Sequence, residues 1–179
     1  MDTFIEYMVK KKKTGKDIAK IFAAIAGAAV LSAAIGFLVT ITPSVIFAVW
    51  FALLAAMWYG VYVIISRQNI EYEYTFTNGE LDIDAVYSKR RRVHVLTVRV
   101  RDFSFCAPAY DSRYESRRLD VSGVKHNYAL AGDASGENVY FADFLMNGDK
   151  MRLDFEPSRN MIEAIKQFNM RNVHLKDEA

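Results

Sequence analysis

Residues 21–66 form a block without Asp, Glu, Lys, Arg or His, and this block limits the fold more than any other feature. One pass through a bilayer needs about 20 apolar residues, so a block of 46 residues is long enough for two passes. Residues 40–44, Thr-Ile-Thr-Pro-Ser, interrupt the block near its middle, because proline breaks a helix. The sequence therefore predicts a membrane α-hairpin, with one helix over residues 21–39 and a second over residues 44–65.

A cleaved secretory signal is the alternative for the first part of this block. The apolar core of such a signal is about 7–15 residues long. Here the first apolar run exceeds that length and a second run follows almost at once, which favours the hairpin. If a signal were cleaved, the mature chain would begin near Ala34.

The basic charge of the chain lies next to the uncharged block. Residues 1–20 hold six lysines, whereas residues 67–179 hold 17 Lys and Arg against 18 Asp and Glu and are nearly neutral. Basic loops stay on the cytoplasmic side of a membrane, and residues 40–44 carry no charge. We therefore expect a multi-pass protein of the cell membrane with both termini in the cytoplasm. Its three parts are a basic segment (1–20), the hairpin (21–66) and a cytoplasmic domain (67–179).

Within the basic segment, four apolar residues fall on one side of a helix, at positions 4, 5, 8 and 9. This spacing predicts a short interfacial helix whose lysines lie at the lipid headgroups. Each juxtamembrane lysine contributes about 1 kcal/mol of attraction to an acidic leaflet. Since topology alone also explains these lysines, a specific lipid signal is one of two interpretations. The candidate lipid contacts are Lys10, Lys11, Lys12 and Lys13.

Small residues recur every four positions in both predicted membrane helices. Such stripes let helix backbones approach closely in lipid, where hydrophobicity alone does not drive association. The short turn makes the two stripes each other's expected partners, with a homodimer through one stripe as the alternative. No ionisable group lies inside the block, which argues against a channel or transporter. The predicted packing residues are Ala24, Ala28, Ser32 and Gly36 in the first helix and Ala48, Ala52, Ala56 and Gly60 in the second.

From residue 69 apolar and polar residues alternate, which is typical of β-strands with one buried face. Asn78-Gly79 and Asn147-Gly148 each separate two such runs and predict tight hairpin turns. Residues 109–125 break the pattern and predict a mobile loop with one helical turn. Pro157 precedes an apolar stripe at helical spacing, which predicts a C-terminal amphipathic helix. We expect an α+β domain, an antiparallel half-open barrel of six or seven strands closed by this helix.

This order of elements resembles the pleckstrin-homology-like (PH-like) superfold. The strand beginning at Ile70, the two Asn-Gly turns and the helix after Glu156-Pro157-Ser158 carry the resemblance. The opening MDTFIEYMVKKKKTGKD and the stretch YEYTFTNGELDID are similar to an uncharacterised family of small bacterial two-pass membrane proteins with a cytoplasmic PH-like domain. The resemblance covers nearly the whole chain. It implies an arrangement of hairpin and domain, and no assigned chemistry.

One run of consecutive cations in the domain is a candidate binding site. It occupies a predicted turn close to the membrane, where it is placed to hold anionic lipid headgroups. A solvated turn, neutralised by Glu80, Asp82 and Asp84, is the alternative. The candidate residues are Lys89, Arg90, Arg91 and Arg92.

Other kinds of site have less support in the sequence. Arg99 and Arg101 precede two phenylalanines, but the domain is nearly neutral and lacks the signature of an RNA-binding sheet, so we expect no nucleic-acid partner. Cys106 is the single cysteine and has no histidine near it in sequence, which is typical of a buried thiol. The three histidines lack the spacing of zinc ligands, and no glycine loop cradles a phosphate. We expect no enzyme, no cofactor and no metal site.

The pattern as a whole favours a membrane-anchored binding or scaffolding module of unknown ligand at the inner membrane face. Membrane lipids are the expected partners, and a protein partner or a second copy of the chain is also open. The alternative is a regulatory subunit of a larger membrane complex, recognised through its transmembrane hairpin.

Overall fold

The computed structural model describes residues 3–43 and 46–176. The chain divides into two compact units: one is Lys13–Asn69, and the other joins the residues before Lys13 to those from Ile70 onwards. The helical unit is therefore inserted into the sequence of a discontinuous sheet domain. Each unit is described by itself below.

The helical unit contains α1 (Gly15–Ile41) and α2 (Phe47–Arg67). Thr14 and Asp17 form a capping box, in which each side chain accepts a hydrogen bond from the other residue's backbone N–H, and α1 accordingly begins at Gly15, before the uncharged block. Both helices are long and apolar enough to cross a membrane. Only 6% of an apolar 18-residue stretch in each helix is buried. Apolar surface of this extent needs a non-aqueous surrounding, which fits a membrane-associated protein.

The contact between α1 and α2 corrects the predicted pairing of two small-residue stripes. In α1 the predicted stripe does take part, since Ala28 is buried and Ala24 and Ser32 are half-buried. In α2 the contact uses larger side chains, and Trp58 Nε1 donates a hydrogen bond to Ser32 Oγ at 3.2 Å. The half-buried or buried residues of this face of α2 are Trp50, Leu54, Met57, Gly60 and Val61.

The remaining predicted packing residues lie outside this contact. Gly36, Ala48, Ala52 and Ala56 are exposed. A Cβ atom at Gly36 or Gly60 would meet no atom within 4 Å, so neither glycine is needed for a close approach of the two helices. The physical reason is that small residues on one helix already make a groove, and bulky residues of the other fill it.

The predicted interfacial helix over the basic segment is wrong. Residues Phe4–Lys10 form a strand, β1, that pairs antiparallel with β2 (Ile70–Thr77). Ile5 and Val9 pack against the domain core, while Phe4 and Met8 are 65% and 50% exposed. A spacing of 4, 5, 8 and 9 fits a helix by itself, but pairing with a strand 60 or more residues away overrides this local preference.

Within residues 3–43 and 46–176, eight strands form two four-stranded sheets, whereas the sequence predicts six or seven strands. Sheet 1 has the order β1-β2-β3-β4, with β3 at Glu80–Tyr87 and β4 at Arg91–Arg99. Sheet 2 has the order β5-β7-β8-β6. Its strands are β5 (Phe103–Pro108), β6 (Val124–Ala129), β7 (Tyr140–Met146) and β8 (Asp149–Phe155).

The two Asn-Gly turns are confirmed. Asn78 and Gly79 have φ angles of 49° and 91° between β2 and β3, and Asn147 and Gly148 have φ angles of 53° and 85° between β7 and β8. Positive φ at both central residues matches the right-handed twist of a two-residue hairpin. Gly79 is also needed for space, because a Cβ there would lie 2.7 Å from the Phe168 ring.

Sheet 2 departs from the predicted antiparallel arrangement, because β6 pairs parallel to β8. The opposite edge of this sheet is covered by the end of the described chain. Cys106 N donates to Asn172 O at 2.7 Å, and His174 N donates to Cys106 O at 2.8 Å. The C-terminal segment thus closes the free edge of β5.

The core lies between the two sheets and α4 (Arg159–Phe168), the predicted C-terminal amphipathic helix. Ser158 caps this helix by accepting a hydrogen bond from Met161 N. Aromatic and aliphatic side chains from all three elements are at most 1% exposed. They include Tyr74, Phe76, Leu81, Ile83, Phe144, Leu153, Phe155, Met161 and Ile165.

Candidate functional site

The sheet register brings two separate basic groups of the sequence to the same end of sheet 1. Lys10 lies opposite Glu71, Glu71 opposite Val86, and Val86 opposite Arg92. Lys10 and Arg92 are therefore the two ends of one row of residues that runs across the four strands. At the usual strand spacing these two positions are about 14 Å apart. We call this end of sheet 1 the basic end; it comprises Lys10, Lys11, Lys12, Lys89, Arg90, Arg91 and Arg92.

The turn between β3 and β4 and the first residue of β4 hold three cations exposed to solvent. Ser88 and Lys89 have φ angles of 50° and 58°, and Arg90 N donates to Tyr87 O at 3.0 Å to close the turn. Lys89, Arg90 and Arg91 are exposed, and within residues 3–43 and 46–176 no carboxylate pairs with them. Their charges are therefore available to an anion from outside.

Arg92, by contrast, is already neutralised within the sheet. It donates to Glu73 Oε1 at 2.7 Å and lies 3.9 Å from Asp84 Oδ2. The Glu73 side chain is only 3% exposed. Burial, and a hydrogen bond with Glu6, raise the pKa of Glu73, while the Arg92 charge opposes that rise. Arg92 thus forms an ion pair with Glu73, a buried carboxylate on the outer face of sheet 1.

Lys12 is also paired within the domain. Its Nζ forms an ion pair with Asp133, which raises the pKa of Lys12 and, with bonds from Ser135, lowers the pKa of Asp133. Lys12 N donates to Gly132 O at 2.7 Å, so the backbone is fixed there as well. Asp133 was not among the carboxylates that the sequence offered as partners.

The predicted lipid contacts therefore fall into two classes. Lys12 and Arg92 have carboxylate partners, whereas Lys10, Lys11, Lys89, Arg90 and Arg91 have none among the described residues, with Lys11 half-buried and the others exposed. Lys13 belongs to the helical unit. A cluster of unpaired cations at one end of a sheet attracts phosphate groups electrostatically without fixing a single ligand.

The described residues show no arrangement typical of catalysis. Cys106 is fully buried, and burial raises the pKa of its thiol, so the thiolate nucleophile is disfavoured. In the described part of the chain no three His, Cys, Asp or Glu side chains are grouped to hold a metal ion. A surface groove of about 610 Å³ lies beside Tyr110 and Asp111, and Arg113 binds that carboxylate and lowers its pKa.

No local sequence pattern indicates the most buried ion pair among the described residues, that of Arg152 and Asp143. Arg152 and Asp143, on the face of sheet 2 away from the core, are 2% and 1% exposed, and Arg152 Nε donates to Asp143 Oδ1 at 2.7 Å. The same guanidinium donates to the backbone carbonyls of Arg117, Arg118 and Asp120, at the end of α3 (Glu115–Leu119). The segment predicted as a mobile loop is thus held against sheet 2 by hydrogen bonds from Arg152.

Comparison with known families agrees with this architecture. The model of a family described as bacterial PH-like domain (DUF6106) matches residues 1–175. The chain belongs to this family. The matched residues include β1 and the helical unit as well as both sheets. No curated protein and no solved structure matches the chain.

Proposed function

We propose that this PH-like protein is a two-pass membrane module that binds anionic phospholipid headgroups through its basic end at the inner face of the cell membrane. In this interpretation the two sheets and α4 act as a half-open barrel that scaffolds the binding surface. Both termini lie in the cytoplasm. The module is not an enzyme, needs no cofactor and binds no nucleic acid.

One observation carries the proposal: the unpaired cations lie at the end of sheet 1 where the chain enters and leaves the apolar helices. Lys11 N donates to Ile70 O at 2.9 Å. The chain before the helical unit and the chain after it are therefore neighbours in sheet 1. Only two residues separate Lys12 from the start of α1 at Gly15, and two separate the end of α2 at Arg67 from Ile70. Such short connections keep this end of the sheet within a few residues of any membrane that the helices cross.

The charge distribution supports the cytoplasmic placement of both termini. Lysines flank α1 on its N-terminal side, and Arg67 ends α2, while residues 42–46 between the helices carry no charge. Basic flanks remain on the cytoplasmic side during insertion. The inner leaflet is also the acidic one, and each cation near it contributes about 1 kcal/mol.

The test uses the full-length protein in lipid nanodiscs made either of phosphatidylcholine or of phosphatidylcholine with phosphatidylglycerol. Hydrogen exchange of the β3–β4 turn should slow in the anionic discs only. The variant Lys89→Gln/Arg91→Gln should lose this protection. The matched control, Arg101→Gln/Arg171→Gln, removes two exposed cations elsewhere in the domain and should keep it.

Equal exchange at residues 87–92 in both kinds of disc would contradict lipid binding at the basic end. A loss of protection in the control variant that equals the loss in the test variant would also contradict it, because net charge alone would then explain the effect. Raised salt should weaken the protection, since the cations are exposed.

The alternative function, a regulatory subunit recognised through the hairpin, is favoured by one observation. Ala48, Ala52 and Ala56 form a small-residue stripe on the exposed side of α2, which α1 does not cover. If a larger complex docks there, Ala52→Leu should remove co-purifying proteins in mild detergent. Under the proposed function, Ala52→Leu should leave both the co-purifying proteins and the lipid-dependent protection of the β3–β4 turn unchanged.

A further inference from the structure

Glu73 is a buried carboxylate that lies between two other carboxylates on the outer face of sheet 1. Its side chain is 3% exposed. It lies directly opposite Asp84 of β3, and Glu6 of β1, which is opposite Thr75, is its diagonal neighbour on the other side. Like charges at such positions in a sheet repel each other. Three ionised carboxylates in this arrangement are therefore unfavourable.

One oxygen of the Glu73 carboxylate lacks a hydrogen bond. Arg92 Nη2 donates to Glu73 Oε1 at 2.7 Å. The same nitrogen lies 2.5 Å from Oε2, but that buried oxygen accepts no hydrogen bond from the described residues. Leaving a buried polar atom without a partner costs free energy. A proton held between Glu73 and Glu6 supplies the missing bond, and the contact between these two carboxyl groups raises the pKa of Glu73 in the same sense as its burial.

Arg92 reaches Glu73 by turning away from the basic end. The residue opposite Arg92 in β3 is Val86, whereas Glu73 lies one row further from the basic end, opposite Asp84. The Arg92 side chain is 61% exposed. When Glu73 loses its charge, this guanidinium is free to turn towards the end of the sheet, where the unpaired cations lie.

We propose that one proton shared by Glu6 and Glu73 controls whether Arg92 binds an anionic headgroup. When the pair holds this proton, it carries one negative charge instead of two, and Arg92 joins the unpaired cations of the basic end. When the proton is lost to solvent, Glu73 holds Arg92 on the face of the sheet. This regulation rests on the lipid binding proposed above. It makes that binding stronger as the pH falls.

The charged groups of β3 and β4 around Glu73 fit this mechanism. Asp84 has a nearer partner than Arg92, because His94 Nδ1 lies 3.0 Å from Asp84 Oδ1. Arg92 Nε lies 3.9 Å from Asp84 Oδ2. Asp84 is therefore a weaker competitor for the guanidinium than Glu73, whose Oε1 it contacts at 2.7 Å.

The charged groups of β1 and β2 fit it as well. Glu71, the next residue of β2 on this face, lies opposite Lys10 of β1. Glu6 is exposed, so a proton from solvent reaches buried Glu73 through it.

An acidic leaflet itself favours the protonated pair. Its surface potential of about −30 to −50 mV concentrates protons roughly three- to sevenfold. Release of Arg92 adds one cation to the basic end, and one more cation near the leaflet corresponds to about a fivefold gain in binding.

Hydrogen exchange of the full-length protein in the two kinds of nanodisc, at pH 5 and at pH 8, tests this regulation. The measured quantity is the lipid-dependent protection of residues 87–92, which is their exchange rate in phosphatidylcholine discs divided by the rate in anionic discs at the same pH. We expect the wild-type protection to be about five times larger at pH 5. Glu73→Gln should show the larger value at both pH values, and Arg92→Gln the smaller value at both.

Glu71→Gln and His94→Gln are the matched controls, because each removes a titratable group from the same face and leaves Glu6 and Glu73 in place. Both should keep the rise at pH 5. A rise that persists in Glu73→Gln or in Arg92→Gln would overturn the regulation. Equal wild-type protection at both pH values would overturn it too, while lipid binding would stand. Absence of protection at both pH values would overturn both proposals.

A second measurement tests the shared proton without anionic lipid. Because the pKa of Glu73 is raised in the folded chain, the folded state binds this proton more tightly than the unfolded state does. The resulting stability is present at low pH and is lost as the pH rises through the raised pKa. In phosphatidylcholine discs, the unfolding temperature of the wild type should therefore fall relative to that of Glu73→Gln between pH 4 and pH 8. A difference that stays constant over this range would show that no proton is shared.

Discussion

At the scale of single residues, the pair of Arg152 and Asp143 is an ion pair whose two side chains are both buried. The guanidinium donates to the carboxylate from Nε at 2.7 Å and from Nη2 at 3.1 Å. Nη1 also donates to the carbonyl of Arg118, and Nη2 to the carbonyls of Arg117 and Asp120. Arg117, which belongs to the loop, lies over the Phe105 ring of sheet 2, 3.9 Å from its centroid. The loop and sheet 2 are therefore joined through the side chains of Arg152 and Arg117.

We expect Arg152→Ala to lower the free energy of unfolding by about 3–5 kcal/mol, because it leaves a buried carboxylate without a partner. Thermal and urea unfolding, followed by circular dichroism, measures the loss. Lys125→Ala is the control: it breaks an exposed pair with Asp149 in the same sheet and should cost about 1 kcal/mol or less. The double variant Asp143→Leu/Arg152→Leu should recover stability, and no recovery would show that the loop carbonyls, rather than the charge pair, dominate.

The sequence did not reveal this pair for a physical reason. Lys150, Arg152 and Asp154 alternate with apolar residues in β8, and such alternation is the ordinary pattern of a sheet with one solvated face. Here the loop covers that face, and burial even raises the pKa of Asp154. Whether a loop packs back on a sheet depends on contacts between residues 30 or more positions apart, which no local pattern records.

At the scale of elements, the sequence correctly predicts those turns and helices whose formation depends on residues that are close together in the chain. The Asn-Gly turns and the amphipathic helix α4 are encoded within a few neighbouring residues, and the structure has them. Strand β1 and the parallel strand β6 were missed or misassigned, because their partners lie far away in sequence. The basic end shows the same limit: the sequence identified the cations, but only the register shows which of them have carboxylate partners.

The contact between α1 and α2 allows a test at the same scale. Ala28 is 4% exposed at the contact, so Ala28→Leu should overpack it and lower the melting temperature of the helical unit, at a cost of about 1–3 kcal/mol. Ala52→Leu makes the same chemical change on the exposed side of α2 and should be nearly neutral in detergent. Unfolding followed by the fluorescence of Trp50 and Trp58 reports on this unit. Equal destabilisation by both variants would contradict the helix contact described here.

At the scale of the whole molecule, the helical unit interrupts a domain whose two pieces are adjacent strands. Lys11 and Ile70 form a hydrogen-bonded pair of the antiparallel ladder, which is the geometry that closes a two-residue hairpin. Replacement of residues 12–69 by Asn-Gly should therefore join β1 directly to β2. The product lacks both apolar helices and should be a water-soluble PH-like domain with cooperative thermal unfolding.

The comparison that decides this prediction is a chain of residues 70–176 alone. Without β1, the edge of β2 is open along its length, and core residues such as Tyr74 lose the cover of Ile5, Tyr7 and Val9. We expect this shorter chain to aggregate or to unfold at a much lower temperature, because an exposed apolar edge strand promotes association. Dispersed amide signals in nuclear magnetic resonance spectra should appear for the joined chain only. If residues 70–176 were equally stable, β1 would be an accessory strand, and the domain would begin after the helices, as the sequence pattern predicted.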